Sequence, residues 1–168
     1  MRILAIDAST KSSGWAIFDG TTLEKYGCIT ASGTDLVKRI SKMIIEINNI
    51  LSKEKIDKII LEEVRPEEKG AANQTLKTHK ALMYLQAAIV FLLHDRYPEI
   101  ELDFVYPSEW RANCGIRTGS GVLRDELKLA DIAFAKAKFN LDVNDDIADA
   151  VGIGFGYALD KGNRIDWE

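Results

Sequence analysis

With 168 residues, 46% of them hydrophobic and 29% charged, the chain has the size of one domain with a proper core and is too short for two ordinary ones, so residues 1–168 are expected to fold as a single domain. No apolar run reaches the roughly 18 to 20 residues a membrane-crossing helix needs. Two cysteines, Cys28 and Cys114, without CxxC or Cys/His spacing argue against a disulfide framework and against zinc. Arg2 leads straight into strand-like alternation and not into a cleavable leader, and a cytoplasmic protein with no membrane and no organic cofactor is expected.

In chain order, Arg2 to Asp7 alternates as a strand, Gly14 to Asp19 reads as a second and Thr22 to Thr30 as a third, the last two joined by the hairpin signal Asp19-Gly20. Leu36, Ile40, Met43, Ile44, Ile47 and Leu51 recur at three- and four-residue spacing, which predicts an amphipathic helix. The short apolar run Lys58 to Leu61 fits a buried parallel strand and is followed by Glu62 and Glu63. Residues 65–75 are polar and loop-like. A helical pattern runs from Leu76 to about Arg96, with Leu82, Leu85, Ile89 and Leu93 as its core face and part of that face a possible dimer seam. A strand covers Ile100 to Tyr106 and stops at Pro107; helices fit Val122 to Lys138 and Asp146 to Leu159. Three hairpin-type strands followed by alternating helices and strands predict a mixed sheet with helices on its faces, an α/β layer fold.

Carboxylates stand where such folds build sites, at the C-terminal ends of buried strands. Asp7 ends the first strand and Glu62-Glu63 end the fourth. Asp146 and Asp149, three apart at the start of the last helix, share a face, with Asn144 or Asp145 as the cap. Each has a plain structural use as a turn, solvated or helix-start acid. Crowded together they would need neutralising, and a divalent cation with oxygen ligands does that. Net charge, −4, does not decide for or against a nucleic-acid partner. Positive residues gather at 69–80 and 111–138 and acids at 62–68, 99–103 and 142–149, and bound metal would offset part of the negative charge.

Taken together, "AIDASTKSSGWAIFD", "IILEEV" and "DDIADAVGIGFGYAL" resemble the three blocks of the RuvC family of Holliday-junction resolvases in its shorter, phage-type form. The blocks come in the family's order and span most of the chain. The resemblance implies a ribonuclease H-like fold: a mixed five-stranded sheet of three antiparallel N-terminal strands and then parallel strands, flanked by helices. It also implies a homodimer and nicking of branched DNA with Mg²⁺ or Mn²⁺, two ions per site, in a bacterial host cytoplasm if the chain is phage-encoded. Carried over residue by residue, the metal-binding acids are Asp7, Glu62, Asp146 and Asp149. Glu62 is preferred to Glu63 because it stands two places before the valine, as the family's glutamate does. Where the best-known members carry an aromatic residue, three places after that glutamate, this chain has Arg65. The family's basic residues before the last helices correspond to Arg111 and Arg124.

Candidate contacts to DNA phosphates are Arg65, Lys69, Asn73, Lys77 and Lys80 near the central helix, and Arg111, Arg117, Arg124 and Lys128 further on. Trp110 is expected either to stack on a base or to pack in the core. The opening D-x-S-T-x-S-x-G-W also resembles the phosphate-gripping hairpin of actin-like and sugar-kinase nucleotide binders, but that class needs a second domain and a later Gly-rich loop, and no G-x-x-x-x-G-K-[ST] is present. A nuclease acting on another nucleic acid and a branched-DNA-binding module that does not cut remain as alternatives.

Overall fold

Strand alternation sets the architecture. In the computed structural model, which describes residues 1–64, 72–119 and 121–163 (for 72–75 and 161–163 the backbone only), β1 (Arg2–Asp7), β2 (Ser12–Asp19) and β3 (Thr22–Thr30) form an antiparallel meander. The β2–β3 turn falls at Asp19-Gly20, with Gly20 at φ +55, a conformation that suits glycine. Then come α1 (Leu36–Lys53), β4 (Lys58–Glu62), α2 (Ala72–Arg96), β5 (Glu101–Val105), α3 (Pro107–Asn113), α4 (Arg124–Phe139) and α5 (Asp145–Asn163). β4 joins β1 in parallel and β5 joins β4 in parallel, giving the strand order β3-β2-β1-β4-β5.

Side chains two apart share a face. Leu4, Ile6, Ile17, Ile59 and Leu61 point to one side of the sheet, where Met43, Ile47 and Leu51 of α1 and Leu85, Ile89, Leu92 and Leu93 of α2 cover them. Ile3, Ala5, Ala16, Phe18 and Ile60 point to the other, where they meet Trp110 of α3 and Val151, Ile153 and Phe155 of α5. The result is three layers, helices on both sides of a mixed sheet.

Several elements depart from the sequence reading: β2 already starts at Ser12, ahead of Gly14, and α5 runs on past Leu159 to Asn163. α2 begins at Ala72 and not at Leu76, because its first turn, Ala-Asn-Gln-Thr, has no apolar periodicity to reveal it. α3 was not expected at all. Pro107 ends the strand and also opens a helix, where its missing N–H costs nothing. The Glu109 carboxylate accepts the Tyr106 N–H at 3.1 Å and secures that first turn. Seven residues are too few to show a period.

Candidate active site

Asp7 follows Ile3 and Ala5 onto the face covered by α3 and α5, and Glu62 follows Ile60 there. Because Ile6 lies beside Leu61 in the parallel β1–β4 pair, the two acids end neighbouring strands at the same edge of the core. The first turn of α5 is laid across this edge. Gly14, opposite Asp7 in the β1–β2 pairing, makes that possible: a Cβ there would sit 1.8 Å from the Asp146 carbonyl oxygen. Asn144 caps α5, its Oδ1 accepting the Ile147 N–H at 3.1 Å. Asp146 and Asp149 are thereby carried to within electrostatic reach of Asp7, as Glu62 is from the neighbouring strand.

Two of the three acids beside Asp7, Asp146 and Glu62, are each held by a hydrogen bond, and the third, Asp149, faces a guanidinium. Ser12 Oγ donates to Asp146 Oδ2 and also lies 3.2 Å from Cys28 Sγ. Trp110 Nε1 donates to Glu62 Oε2 at 2.7 Å. Arg111 stands 3.9 Å from Asp149 Oδ1 while donating to Asp131, through Nε at 3.2 Å and through Nη2 at 2.8 Å. Asp131 of α4 is wholly buried.

Crowding is visible in the electrostatics. Burial pushes the Asp7 carboxyl up to about 8, with the charges of Glu62 and Asp146 adding to the rise and Arg111 opposing it. Burial also raises Asp149, with Asp7 and Asp131 adding to it. Glu62 is raised by burial as well, held back by the Trp110 hydrogen bond and then by the charges of Arg111 and Arg124. All four side chains nonetheless keep partial contact with solvent, so the cluster is reachable from outside.

Asp149 Oδ1 is buried and has no hydrogen-bond partner among the described residues. An oxygen in that position, beside carboxylates that resist ionising together, fits a hard divalent cation, and an all-oxygen donor set is what Mg²⁺ or Mn²⁺ takes. Among the described residues no group of three or more His, Cys, Asp or Glu side chains stands as a ready-made ion cage.

The basic candidates separate. Arg124, at the start of α4, and Arg117 are exposed, as are Lys77 and Lys80 on α2. Lys128 is partly exposed and pairs with Asp145. Arg111 corrects the expectation of a surface phosphate contact: it is buried, its guanidinium spent on Asp131 and stacked 4.2 Å from the Trp110 ring. Arg65 and Lys69 lie outside the described residues, and for Asn73 only the helical backbone is described. Trp110 itself is wholly buried, so of its two expected roles base stacking is excluded.

Three residues of the site escaped the sequence reading as members of it. Ser12 stands two places before Gly14 and so shares its face. Asp131 sits four places from both Leu127 and Ala135, on the stripe of α4 that turns inward, a position where an acid needs a cation. Trp110 had no signal of its own beyond the glycines of α5 that make room for it.

No protein-family model and no curated protein matches the chain. The sheet order and the helices on both faces define the ribonuclease H-like class as it occurs in resolvases. Within that class, Thermus thermophilus RuvC, solved in complex with a Holliday junction substrate, is similar with a TM-score of 0.72 at 11% identity, over 96% of this chain and 95% of that one. The yeast mitochondrial Holliday junction resolvase Ydc2 is similar with a TM-score of 0.55 at 14% identity, over 94% of this chain and 77% of that one. The fowlpox virus resolvase, solved with Holliday junction DNA, gives 0.53 at 15%, over 93% and 97%. At these identities the likeness is one of fold.

Proposed function

We propose that the chain is a structure-selective endonuclease that nicks Holliday junctions and other branched DNA by hydrolysing a phosphodiester with divalent metal, Mg²⁺ or Mn²⁺. The observation that carries this reading is that Glu62, Asp146 and Asp149 all stand within electrostatic reach of Asp7 at one edge of the sheet, with Asp149 Oδ1 buried, without a hydrogen-bond partner among the described residues and with only the Arg111 guanidinium 3.9 Å away. Asp7, Glu62, Asp146 and Asp149 would together hold two such ions. When bound, such a pair of ions lowers the pKa of an attacking water and stabilises the leaving oxygen. The residues around them hold the acids apart and oriented: Ser12 at Asp146, Trp110 at Glu62, Arg111 near Asp149. Arg124 is close enough to Glu62 to favour its charged form, which suits it to a phosphate at the rim. Arg117, Lys77, Lys80 and Lys128, exposed or partly so, are proposed as further phosphate contacts, and Arg65, Lys69 and Asn73 likewise. With Arg65 in the place of an aromatic, recognition rests on phosphates and branch shape, and cleavage depends weakly on sequence.

A homodimer completes the proposal, because a two-fold junction needs two symmetric nicks. The face expected to share in a seam is spent on the core, since Leu85, Ile89 and Leu93 are buried against the sheet; the support is the outward stripe of α2, where Met83, Tyr84, Val90 and Phe91 are exposed, Phe91 by 70%, an apolar surface that a second copy would cover.

The test is incubation with end-labelled four-way junction, flap and linear duplex DNA, with Mg²⁺, with Ca²⁺ and with chelator. Paired nicks on the junction that need Mg²⁺ and fail in Ca²⁺ are expected. Cleavage undiminished in chelator overturns the metal reading, and equal cutting of linear duplex overturns the structure selectivity. Light scattering checks the dimer, a monomer both free and on junction DNA being the outcome against it. Arg124→Ala is expected to weaken junction binding and reduce its salt dependence by about one phosphate contact.

A further inference from the structure

Among the described residues Trp110 is the largest fully buried side chain, and its place is defined from several sides. Gly152 and Gly156 of α5 leave the room it occupies: a Cβ on Gly152 would lie 2.4 Å from Trp110 Cζ3, and one on Gly156 would lie 2.6 Å from the Trp110 carbonyl oxygen. The Arg111 guanidinium stacks on the ring and is itself fixed by Asp131. A ring clamped in this way can turn its one polar atom in only one direction, and Nε1 meets Glu62 Oε2 at 2.7 Å. That distance is within the range of a charge-assisted hydrogen bond.

From this geometry we infer that Trp110 is a positioning residue for the reaction: its indole N–H holds one oxygen of Glu62 so that the other faces the ion. An indole suits this task because it only donates. It does not titrate near neutral pH and does not ligate a hard cation, so it orients the carboxylate without competing for its proton or its metal. If packing alone were required, the pocket would ask for a large ring and not for an N–H. The inference rests on the reading of Glu62 as a metal ligand.

The test removes the N–H and keeps the ring. Trp110 is replaced in the full-length protein by 3-benzothienylalanine, in which sulfur stands for the N–H, and in parallel by Trp110→Phe. Melting temperature, Mn²⁺ affinity by titration calorimetry, and single-turnover cleavage of a four-way junction against Mg²⁺ concentration are measured for each. The isostere is expected to melt with the wild type, to bind Mn²⁺ about tenfold more weakly and to need about tenfold more Mg²⁺ for half-maximal rate, with most of the rate recovered at saturating Mg²⁺. Should Trp110→Phe fail to fold, the isostere decides alone. An isostere with wild-type Mn²⁺ affinity and wild-type Mg²⁺ dependence overturns the inference and leaves Trp110 a packing residue. Mn²⁺ binding that weakens in the isostere while the wild type cuts no junction supports the positioning role and rejects the nuclease reading instead. Mn²⁺ binding unchanged by Glu62→Gln overturns the inference, since Glu62 is then no ligand.

Discussion

On one side of the sheet, Leu4, Ile6, Ile17, Ile59 and Leu61 meet Met43, Ile47, Leu85 and Ile89, and apolar surface is matched to apolar surface. On the other, Ile3, Ala5, Phe18 and Ile60 meet a helix thinned by glycines, a buried tryptophan and a buried Arg111–Asp131 pair, and the sheet edge on this side carries Asp7 and Glu62. The same strands, reading alternately up and down, supply both faces. Burial on the α1–α2 side is non-directional and roughly proportional to area, so many shapes would serve. Burial on the α3–α5 side includes charges and donors, each of which needs a particular partner at a particular distance. Stability can be shared out over the first face, whereas the second has to be right group by group, and that is the face on which a site can be built.

The largest effect that would sharpen this contrast is expected from Asp146→Asn. The amide keeps an oxygen to accept the Ser12 hydroxyl, so melting temperature should hold, and junction affinity should hold or rise as one negative charge leaves the rim. Single-turnover cleavage should fall on the order of 10³-fold, since a misplaced ion no longer aligns water and phosphorus. A near wild-type rate would reduce the acids of α5 to helix-start residues.

Arg111→Ala should come next, through stability. It leaves the wholly buried Asp131 facing no guanidinium, a change of the kind that costs about 3–5 kcal/mol. Denaturant unfolding measures it, and the double replacement Arg111→Met with Asp131→Leu should recover much of the loss. If the single variant unfolds like the wild type, the α3–α5 side is no more demanding than the other.

Leu85→Ala probes the apolar side. A cavity at a fully buried leucine costs about 2–5 kcal/mol, yet metal dependence and cleavage rate per folded molecule should stay unchanged. A rate loss comparable to that of Asp146→Asn would mean that the two faces are not separable.

The last expected effect is one of pH. Asp7, raised to about 8, and Asp149, also raised, hold their protons in the folded protein after the unfolded chain has released them near pH 4. Between those limits the native state binds more protons than the unfolded state, so stability is full at low pH and declines as pH rises through the folded values. In chelator the melting temperature should therefore fall between about pH 5 and pH 8, and less steeply in Asp149→Asn. Mg²⁺ competes with the same protons, so its affinity should rise across the same window. A melting temperature that climbs over this range would contradict the crowding of these carboxylates.

Much of this molecule was legible before its structure. Alternation in Arg2–Asp7 and the run at Lys58–Leu61 placed the first and fourth strands, and Asp7, the Glu62-Glu63 pair, Asp146 and Asp149 stood out at strand ends and in a helix's first turn, with the family resemblance choosing Glu62 over Glu63. These are local signals: period, cap and turn chemistry depend on neighbours a few residues away. What could not be read was who stands beside whom. Arg111 looked like a surface cation because a charge is usually solvated, and only the approach of α4 with Asp131 made a buried pair of it. Trp110 carried two possible roles, and the glycines at 152 and 156 acquired a meaning once α3 was seen lying on α5.

By itself, then, the sequence determined the strands, the longer helices and the candidate ligands, because hydrophobic period and backbone chemistry act over a few residues. Tertiary structure alone decided that Ser12, Trp110 and Arg111 attend Asp146, Glu62 and Asp149, and that Gly14 lets a helix lie on β2. Those contacts join residues 48 apart for Trp110 and Glu62 and 134 apart for Ser12 and Asp146. Their geometry is set by packing three layers together, which no local pattern encodes.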